Sequence, residues 1–503
     1  MITIIYSTHK DQDYNKKFQQ HLLNTVGVKD IQILEYVNHN QYSLAQVYNS
    51  GLTESIYDIV VCCHNDIKLE KNWGKKLLED YSNNPEFGVI GKAGSCYFPK
   101  SGVYWEKMFQ TMVGQVYHHP PNQKKWINRY SPKLPFIIPV VTIDGLFLSF
   151  DKTKIKHKFD ETIGKFHFYD HGFCIPNYVD GIKLGVTSSF EITHESIGKP
   201  NDEFWESREK FVEKWGHVLP LDLKPNKVYI PEIKKEKFKK FKKVAIIIPT
   251  KGKVDMLYDC VESFYQNCDP EIFGVFIADT GSSDEEKTQI KNKILPLGNV
   301  KLIEYDYYNF AKINNDVVKN HITDEYEFIL FSNNDIKILN DVITGMLGVY
   351  KKVNGVGTVG ARLHFSDNTI QHDGIFIGTN NKNGEIVVSH NNIHNYYNHR
   401  TGLHETFGNT GGLLMIRKNL FEKVGMFSEN YVSCFEDVEL NAKTIISSYK
   451  NYICSDCVSY HYESQTRNDQ SEKEKLMMED YKNNLLPFIK KNTNFFKKYI
   501  VSI

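Results

Sequence analysis

This chain has no long apolar run, no excess of either charge and no cysteine framework, and each absence removes a class of function. No stretch approaches the ~20 consecutive apolar residues that a bilayer-spanning helix needs. Lysine plus arginine equal aspartate plus glutamate at 61 each. No global field therefore draws the protein to nucleic acid or to membrane, and any such attraction must be local. The nine cysteines are scattered, and Cys62 and Cys63 fall in an apolar run that reads as a buried strand. Thiols used as small core residues point to a reducing compartment. The N-terminus MITIIYSTHK has neither the basic lead nor the cleavage site of a secretory leader. The expected location is the cytoplasm.

What the chain does have is length and internal repetition. At 503 residues it exceeds one ordinary core. Short β-rich runs end in polar turns at ITIIYSTHK from residue 2 and VAIIIPTKGK from Val244, with further runs IYDIVVCC (56–63), GVFIAD (274–279) and YEFILFS (326–332). Aliphatic runs of this length between turn formers read as buried parallel strands. Helical stretches such as 254–267 and 341–353 lie between them, so the expected fold class is α/β, mostly parallel and doubly wound, built twice.

Four short motifs recur in the same order. The first set is HND (64–66), IDG (143–145), FYDHGF (168–173) and HES (194–196); the second is NND (333–335), TGG (410–412), FEDVEL (435–440) and HYES (461–464). Asp335 follows Asp66 by 269 residues, while Gly411 follows Asp144, Asp437 follows Asp170 and His461 follows His194 by 267 each. No helix or strand period produces that agreement. Two homologous domains do, each with its own acidic site. The expected division is 1–220, a basic linker 221–243, and 244–503 with a helical tail. The last ten residues of 224–243 hold seven lysines; they read either as a patch for peripheral contact with anionic lipid at the inner face of the membrane or as a solvated linker. The C-terminal LPFIKKNTNFFKKYIVSI allows the same membrane contact or packing on the second domain.

The motifs suit a particular chemistry. Asp335 follows an apolar strand, at the carboxyl edge of the sheet where open α/β folds bind ligands. A carboxylate there, beside Asn333 and Asn334, can hold a hard divalent cation with positions left for phosphate oxygens; a turn after a strand is the plainer reading. Gly411 and Gly412 let a ligand approach the backbone closely, or mark a turn. Asp437 heads an apolar helix whose N-terminal field stabilises an anion, which suits a carboxylate base; an N-cap is the alternative. His461 offers a neutral nitrogen to a metal or a donor to a diphosphate, or is structural. Cys454 and Cys457 form one CxxC without zinc partners and read as core thiols. His118-His119-Pro120-Pro121 reads as a loop. Trp105 and Tyr169 either stack on sugar faces or pack.

In order, VAIIIPT, ADTGSSD, NFAKINN, FSNND, NTGGLLMIRK, FEDVEL and HYES resemble the family 2 nucleotide-sugar glycosyltransferases of the GT-A fold, particularly the bacterial rhamnosyltransferase-like branch, over residues 244 to about 467. The resemblance implies that Thr250 and Asp279 line the nucleotide pocket and that Lys312, Asn314 and Asn334 lie by the donor. It implies that Asp335 binds Mg²⁺ or Mn²⁺ with help from His461, that Asp437 deprotonates the acceptor hydroxyl, and that Gly411, Gly412 and Glu436 lie on the acceptor side. Gln371-His372 would touch donor or acceptor, or form a surface turn. The first position of the metal motif is Asn333 rather than aspartate, which leaves the metal to Asp335. Residues 1 to about 218 resemble the same family more distantly. There Thr8, Asn38 and Gln46 fall on the donor side, Asp66 and His194 on the metal, Asp144 and Gly145 on the acceptor side, and Asp170 at the base. No ADTGSSD equivalent is present; Asn38 stands instead of an aspartate.

Implied partners are UDP- or dTDP-sugar donors and a glycan or lipid-linked glycan acceptor, with no nucleic acid. The leading expectation is a bifunctional inverting transferase for a bacterial surface polysaccharide. The alternative is one active C-terminal enzyme with a non-catalytic N-terminal glycan-binding domain. A nucleotidyltransferase is disfavoured, because neither STHKDQD nor PTKGKVD forms a glycine-rich basic loop after the first strand.

Overall fold

A computed structural model of the chain describes residues 1–235, 238, 241–379, 386–462 and 470–502. Two units are present: Met1–Pro225 with Asn395–Asn398, and Asn226–His394 with His399–Ile503. Both are α/β. Among the described residues no helix is long and apolar enough to cross a membrane.

The second unit is built on a ten-stranded mixed sheet. Its main path runs Val300–Glu304, Phe273–Asp279, Lys243–Thr250, Tyr326–Ser332, Leu413–Arg417, Val356–His364, Lys450–His461 and Ile336–Ile338. The first four of these strands are mutually parallel. Lys243–Thr250 shows why the run is aliphatic without alternation: Val244, Ile246 and Ile248 enter one core cluster, and Ala245 and Ile247 enter another. Both faces are covered, so every position is apolar. Each fully buried isoleucine here contributes ~1.5–3 kcal/mol of transfer free energy. The helix Val254–Asn267 packs on one face through Val254, Leu257, Cys260, Val261 and Phe264, a spacing that keeps them on one side of a 3.6-residue turn.

The first unit repeats this order without one piece. Its seven-stranded sheet runs Ile138–Val140, Lys183–Val186, Phe87–Gly91, Phe147–Asp151, Ile59–Cys63, Ile2–Thr8 and Ile31–Val37. Strand Ile31–Val37 leads directly to the helix Leu44–Glu54, whereas Phe273–Asp279 is followed by the helix Asp284–Lys293 and the strand Val300–Glu304 before the matching helix Phe310–His321. That extra helix and strand displace everything after them. Thr250 accordingly follows Thr8 by only 242 residues, against 267 for the later motifs.

Residues expected as a basic linker make contacts with the second unit. Pro231 and Tyr229 carbonyls accept from Asn340 and Arg362 of the second unit, at 2.9 and 2.5 Å. Lysines 237, 239 and 240 of the basic run lie outside the described residues. In the tail, Leu485, Ile489 and Phe496 join a core with Val438, Ala442 and Ile445.

Candidate functional site

Each unit gathers its motifs at the carboxyl ends of the parallel strands. In the second unit a cleft of about 550 Å³ is lined by Thr250, Asn334, Asp335, Gly411, Gly412, Glu436, Asp437 and His461, all singled out from sequence. Lys251, Tyr308, Phe310, Asn333, Ser433 and Cys434 also line it.

Strand register assembles the metal-facing pair. The antiparallel pairing of Ile336–Ile338 with Lys450–His461 sets Ile336 opposite His461. That places His461 Nε2 3.2 Å from the Asp335 carboxylate. His461 Nδ1 lies 2.7 Å from Gln371 Oε1, and its Nε2 lies 3.2 Å from Asn333 Nδ2. An amide oxygen only accepts, so the ring proton sits on Nδ1 and Nε2 presents a lone pair. Lone pair and carboxylate thus face each other, and Asp335 Oδ1 is buried without a hydrogen-bond donor. A cation is the group that fits such a pair. Gln371 and His372 are buried in the strand Ile370–His372 and do not form a surface turn.

Asp437 lies in the first turn of the helix Glu436–Ile446, behind Phe435, which adopts a left-handed conformation at φ 77°. Phe435, and not Asp437, is the N-cap residue. Its Oδ2 accepts the Gly411 amide at 2.7 Å and its Oδ1 accepts that of Val438 at 2.7 Å. Burial raises the Asp437 carboxyl above the ordinary carboxylate range, and the two amides act against that rise.

The first unit repeats these contacts. Asp170 Oδ2 accepts the Gly145 amide at 2.9 Å, and Phe168 adopts the left-handed conformation before it at φ 61°. His194 Nε2 lies 3.4 Å from Asp66 Oδ2. Asn65 donates to Thr8 Oγ1 at 2.7 Å, as Asn334 does to Thr250 Oγ1 at 2.9 Å. One group differs. His64 stands where Asn333 stands in the second unit, and one ligand atom each from His64, Asp66 and His194 lie within 4.8 Å of one another. The expected set was Asp66 and His194 alone; the histidine of HND was the available signal. His64 Nε2 contacts the Tyr169 hydroxyl at 3.0 Å, which leaves Nδ1 for a cation. Burial pushes the Asp66 carboxyl up, but His194 and His64 outweigh it and hold it well below the usual range. Two imidazoles and a carboxylate form a donor set that fits a divalent transition metal such as Mn²⁺.

Other expected residues have contacts of their own. Asp279 is fully buried and bonded to Ser282, and Asn314 is buried on its own helix through Phe310 O. Lys312 lies over the Tyr307 ring at 4.5 Å. Gln46 closes a capping box with Ser43. Asn38 caps its own turn, accepting from Gln41 and Tyr42. Register also moves its match: Thr8 pairs with Val37 as Thr250 pairs with Asp279, so Val37 holds the aspartate's position. Asp144 accepts from the Tyr104 hydroxyl at 2.7 Å and from the Leu146 amide. His118, read as loop, ends the strand Met112–His118 and pairs with His194. Trp105 packs against Phe204 and Tyr104. Glu463 and Ser464 of HYES lie outside the described residues.

Comparison with known proteins relates both halves of the sequence to glycosyltransferase families. Residues 3–215 match the family described as "Glycosyltransferase like family", and residues 245–425 match "Glycosyl transferase family 2". The chain carries two tandem glycosyltransferase family 2-like domains. It is 27% identical over 237 residues to the uncharacterized protein y4gI of Sinorhizobium fredii (strain NBRC 101917 / NGR234), covering 46% of this chain and 26% of that one. It is 26% identical over 227 residues to the O-antigen biosynthesis protein RfbC of Myxococcus xanthus, covering 45% and 18%. The chain thus matches about a quarter or less of each relative's length. A mannosyltransferase from Pyrobaculum calidifontis, solved with GDP-Man and Mn²⁺, is similar at a TM-score of 0.33 and 14% identity, over 45% of this chain and 59% of that one.

Proposed function

We propose that the chain is a bifunctional inverting glycosyltransferase, in which each domain transfers a sugar from a nucleotide-sugar donor to a growing bacterial surface polysaccharide. The observation that carries this reading is the recurrence of three contacts in both domains: carboxylate to glycine amide, histidine to metal-facing aspartate, and asparagine to threonine. Loss of one site would have freed its residues to drift. Both sets persist.

In the second domain the acceptor hydroxyl gives its proton to Asp437 as its oxygen bonds to the anomeric carbon and the bond to the nucleoside diphosphate breaks. Asp437 is suited to this because burial raises its proton affinity while the Gly411 and Val438 amides keep its oxygens oriented. Asp170, on the Gly145 amide, plays that part in the first domain. In each site one carboxylate, Asp437 or Asp170, is held on a glycine amide, and a single oriented base supports one displacement with inversion. Asp335 with His461, and Asp66 with His64 and His194, would hold Mg²⁺ or Mn²⁺, which when bound supplies charge neutralisation at the leaving diphosphate. Thr250 and Asn334, and Thr8 and Asn65, lie at the donor side. UDP- or dTDP-sugars are the proposed donors, and a glycan on a lipid carrier, met at the cytoplasmic face of the membrane, is the proposed acceptor.

The test is a panel of nucleotide sugars assayed by nucleotide release on wild type, Asp66→Ala and Asp335→Ala, with and without Mn²⁺. Each substitution should abolish a different transfer and spare the other. One substitution stopping both, or neither, refutes two sites. A second reading, one active domain with a glycan-binding N-terminal domain, is favoured by Val37 at the Asp279 position and by the missing helix and strand. It requires that Asp66→Ala leave every transfer intact.

A further inference from the structure

The loop that leads into the proposed base is held from the C-terminal tail. Asp480 ends the helix Gln470–Asp480 and is 3% exposed. Its carboxylate accepts three consecutive backbone amides: Val432 at 3.1 Å, Ser433 at 2.6 Å and Cys434 at 3.2 Å. Asn484, one turn on, donates to the Asn430 carbonyl at 3.1 Å. The helix widens at this point into a π turn over Tyr481–Leu485, which lets Asp480 and Asn484 both face the loop. Successive amides pointing into one concavity form an anion site. Here a side chain of the same chain fills it.

The held segment borders the cleft. Ser433, Cys434 and Phe435 line it, and Phe435 is the left-handed residue that turns the backbone so that Asp437 meets Gly411. The far flank is tied separately: Asn309 donates to the Tyr431 carbonyl at 3.2 Å, and the Tyr431 hydroxyl donates to Glu439 at 2.8 Å. A buried carboxylate costs free energy unless the lone pairs it presents are used, and three amides of one loop, with Asn484 Nδ2 at 3.4 Å, use those of Asp480. We propose that Asp480 is a positioning residue for the second site, holding the loop Val432–Phe435 in the conformation that aims Asp437 at the acceptor. The proposal rests on the reading of Asp437 as the base. It makes the tail part of the catalytic unit.

Cys434 gives a readout that needs no turnover, since it is the one cysteine of the nine that is not buried. In folded Asp480→Asn, the side-chain amide replaces one of the two acceptor oxygens with a donor, which weakens this tie on the loop. Iodoacetamide should then label Cys434 ~10-fold faster than in wild type, with the other eight thiols still protected. Transfer by the second domain should lose ~10-fold in kcat with donor KM within ~2-fold, because the donor side of the cleft is untouched. Should Asp480→Asn not accumulate as folded protein, Asn484→Ala decides by the same labelling, with ~3-fold acceleration expected. Unchanged Cys434 labelling in the folded variant overturns the proposal, as does general exposure of the buried thiols, which would make Asp480 a prop for the whole domain. Faster Cys434 labelling in the variant, when wild type itself turns over no donor, supports the clamp and refutes the transferase reading. Wild-type labelling with intact transfer does the reverse.

Discussion

Asp437 accepts the backbone amide of Gly411 at 2.7 Å. The contact joins a helix N-terminus to a turn between strands, and it leaves the carboxylate oriented rather than freely rotating. The same bond joins Asp170 to Gly145 at 2.9 Å in the first domain.

From this pair follows a separation of activities. Asp437→Asn keeps the size and one acceptor oxygen but cannot take a proton, so the second domain's transfer should fall ~10²–10⁴-fold. Asp170→Asn should do the same to the other transfer only. Product analysis with both donors present checks this, and equal loss of both products in either variant rules it out.

The pH profile should carry the mark of burial. The Asp437 carboxyl is raised because its charged form is desolvated, and the amides of Gly411 and Val438, with His390 and Thr410 nearby, offset part of that rise. As a base it works deprotonated. The second domain's kcat/KM should therefore fall as pH drops through a value above the ~3.9 of an unperturbed aspartate. An acid limb at or below that value, measured with the first domain silenced by Asp170→Asn, would contradict it.

Strand content and the repeated sites were legible because both leave periodic or literal traces. YEFILFS is apolar at nearly every position since both faces of Tyr326–Ser332 are covered, and NND and HND mark the ends of matching strands. Contacts between distant segments were not legible. His64 lies beside Asp66 in sequence but meets His194 through the pairing of Ile67–Leu69 with Ile192–His194, and Asp480 reaches Val432–Cys434 across 46 to 48 residues. The Asn38 match slipped by one because the first domain lacks the helix and strand that follow Asp279, so nothing in its sequence marks the register that places Val37 opposite Thr8.

Glycine at 145 answers to packing as well as to backbone approach. A Cβ there would stand 2.1 Å from the Tyr169 hydroxyl, which itself contacts His64 Nε2 at 3.0 Å. Gly145→Ala should displace Tyr169, destabilise the first domain by ~1–3 kcal/mol and loosen His64. Gly412→Ala is the contrast, because its nearest contact, His461 Cε1, is 3.3 Å away. Thermal unfolding and Mn²⁺ titration of both variants compare them. A Gly145→Ala protein with wild-type stability and metal affinity would show that Tyr169 does not hold His64.

Gln371 offers the most selective test of the second metal site, because it touches the histidine and leaves the carboxylate alone. Its Oε1 fixes the proton of His461 on Nδ1 at 2.7 Å, and so keeps the Nε2 lone pair toward Asp335. Partners of this kind typically change metal affinity ~10–100-fold when removed. Gln371→Leu preserves bulk in a buried strand but frees the ring to take the other tautomer, which would put a proton between the nitrogen and the cation. Mn²⁺ affinity of the second site should drop within that range, while the first site, built on His64, Asp66 and His194, should keep its affinity. Titration followed by water-proton relaxation separates the two, using Asp66→Ala to leave only the second site. Loss at both sites would point to general unfolding, and loss at neither would mean that His461 is not a ligand.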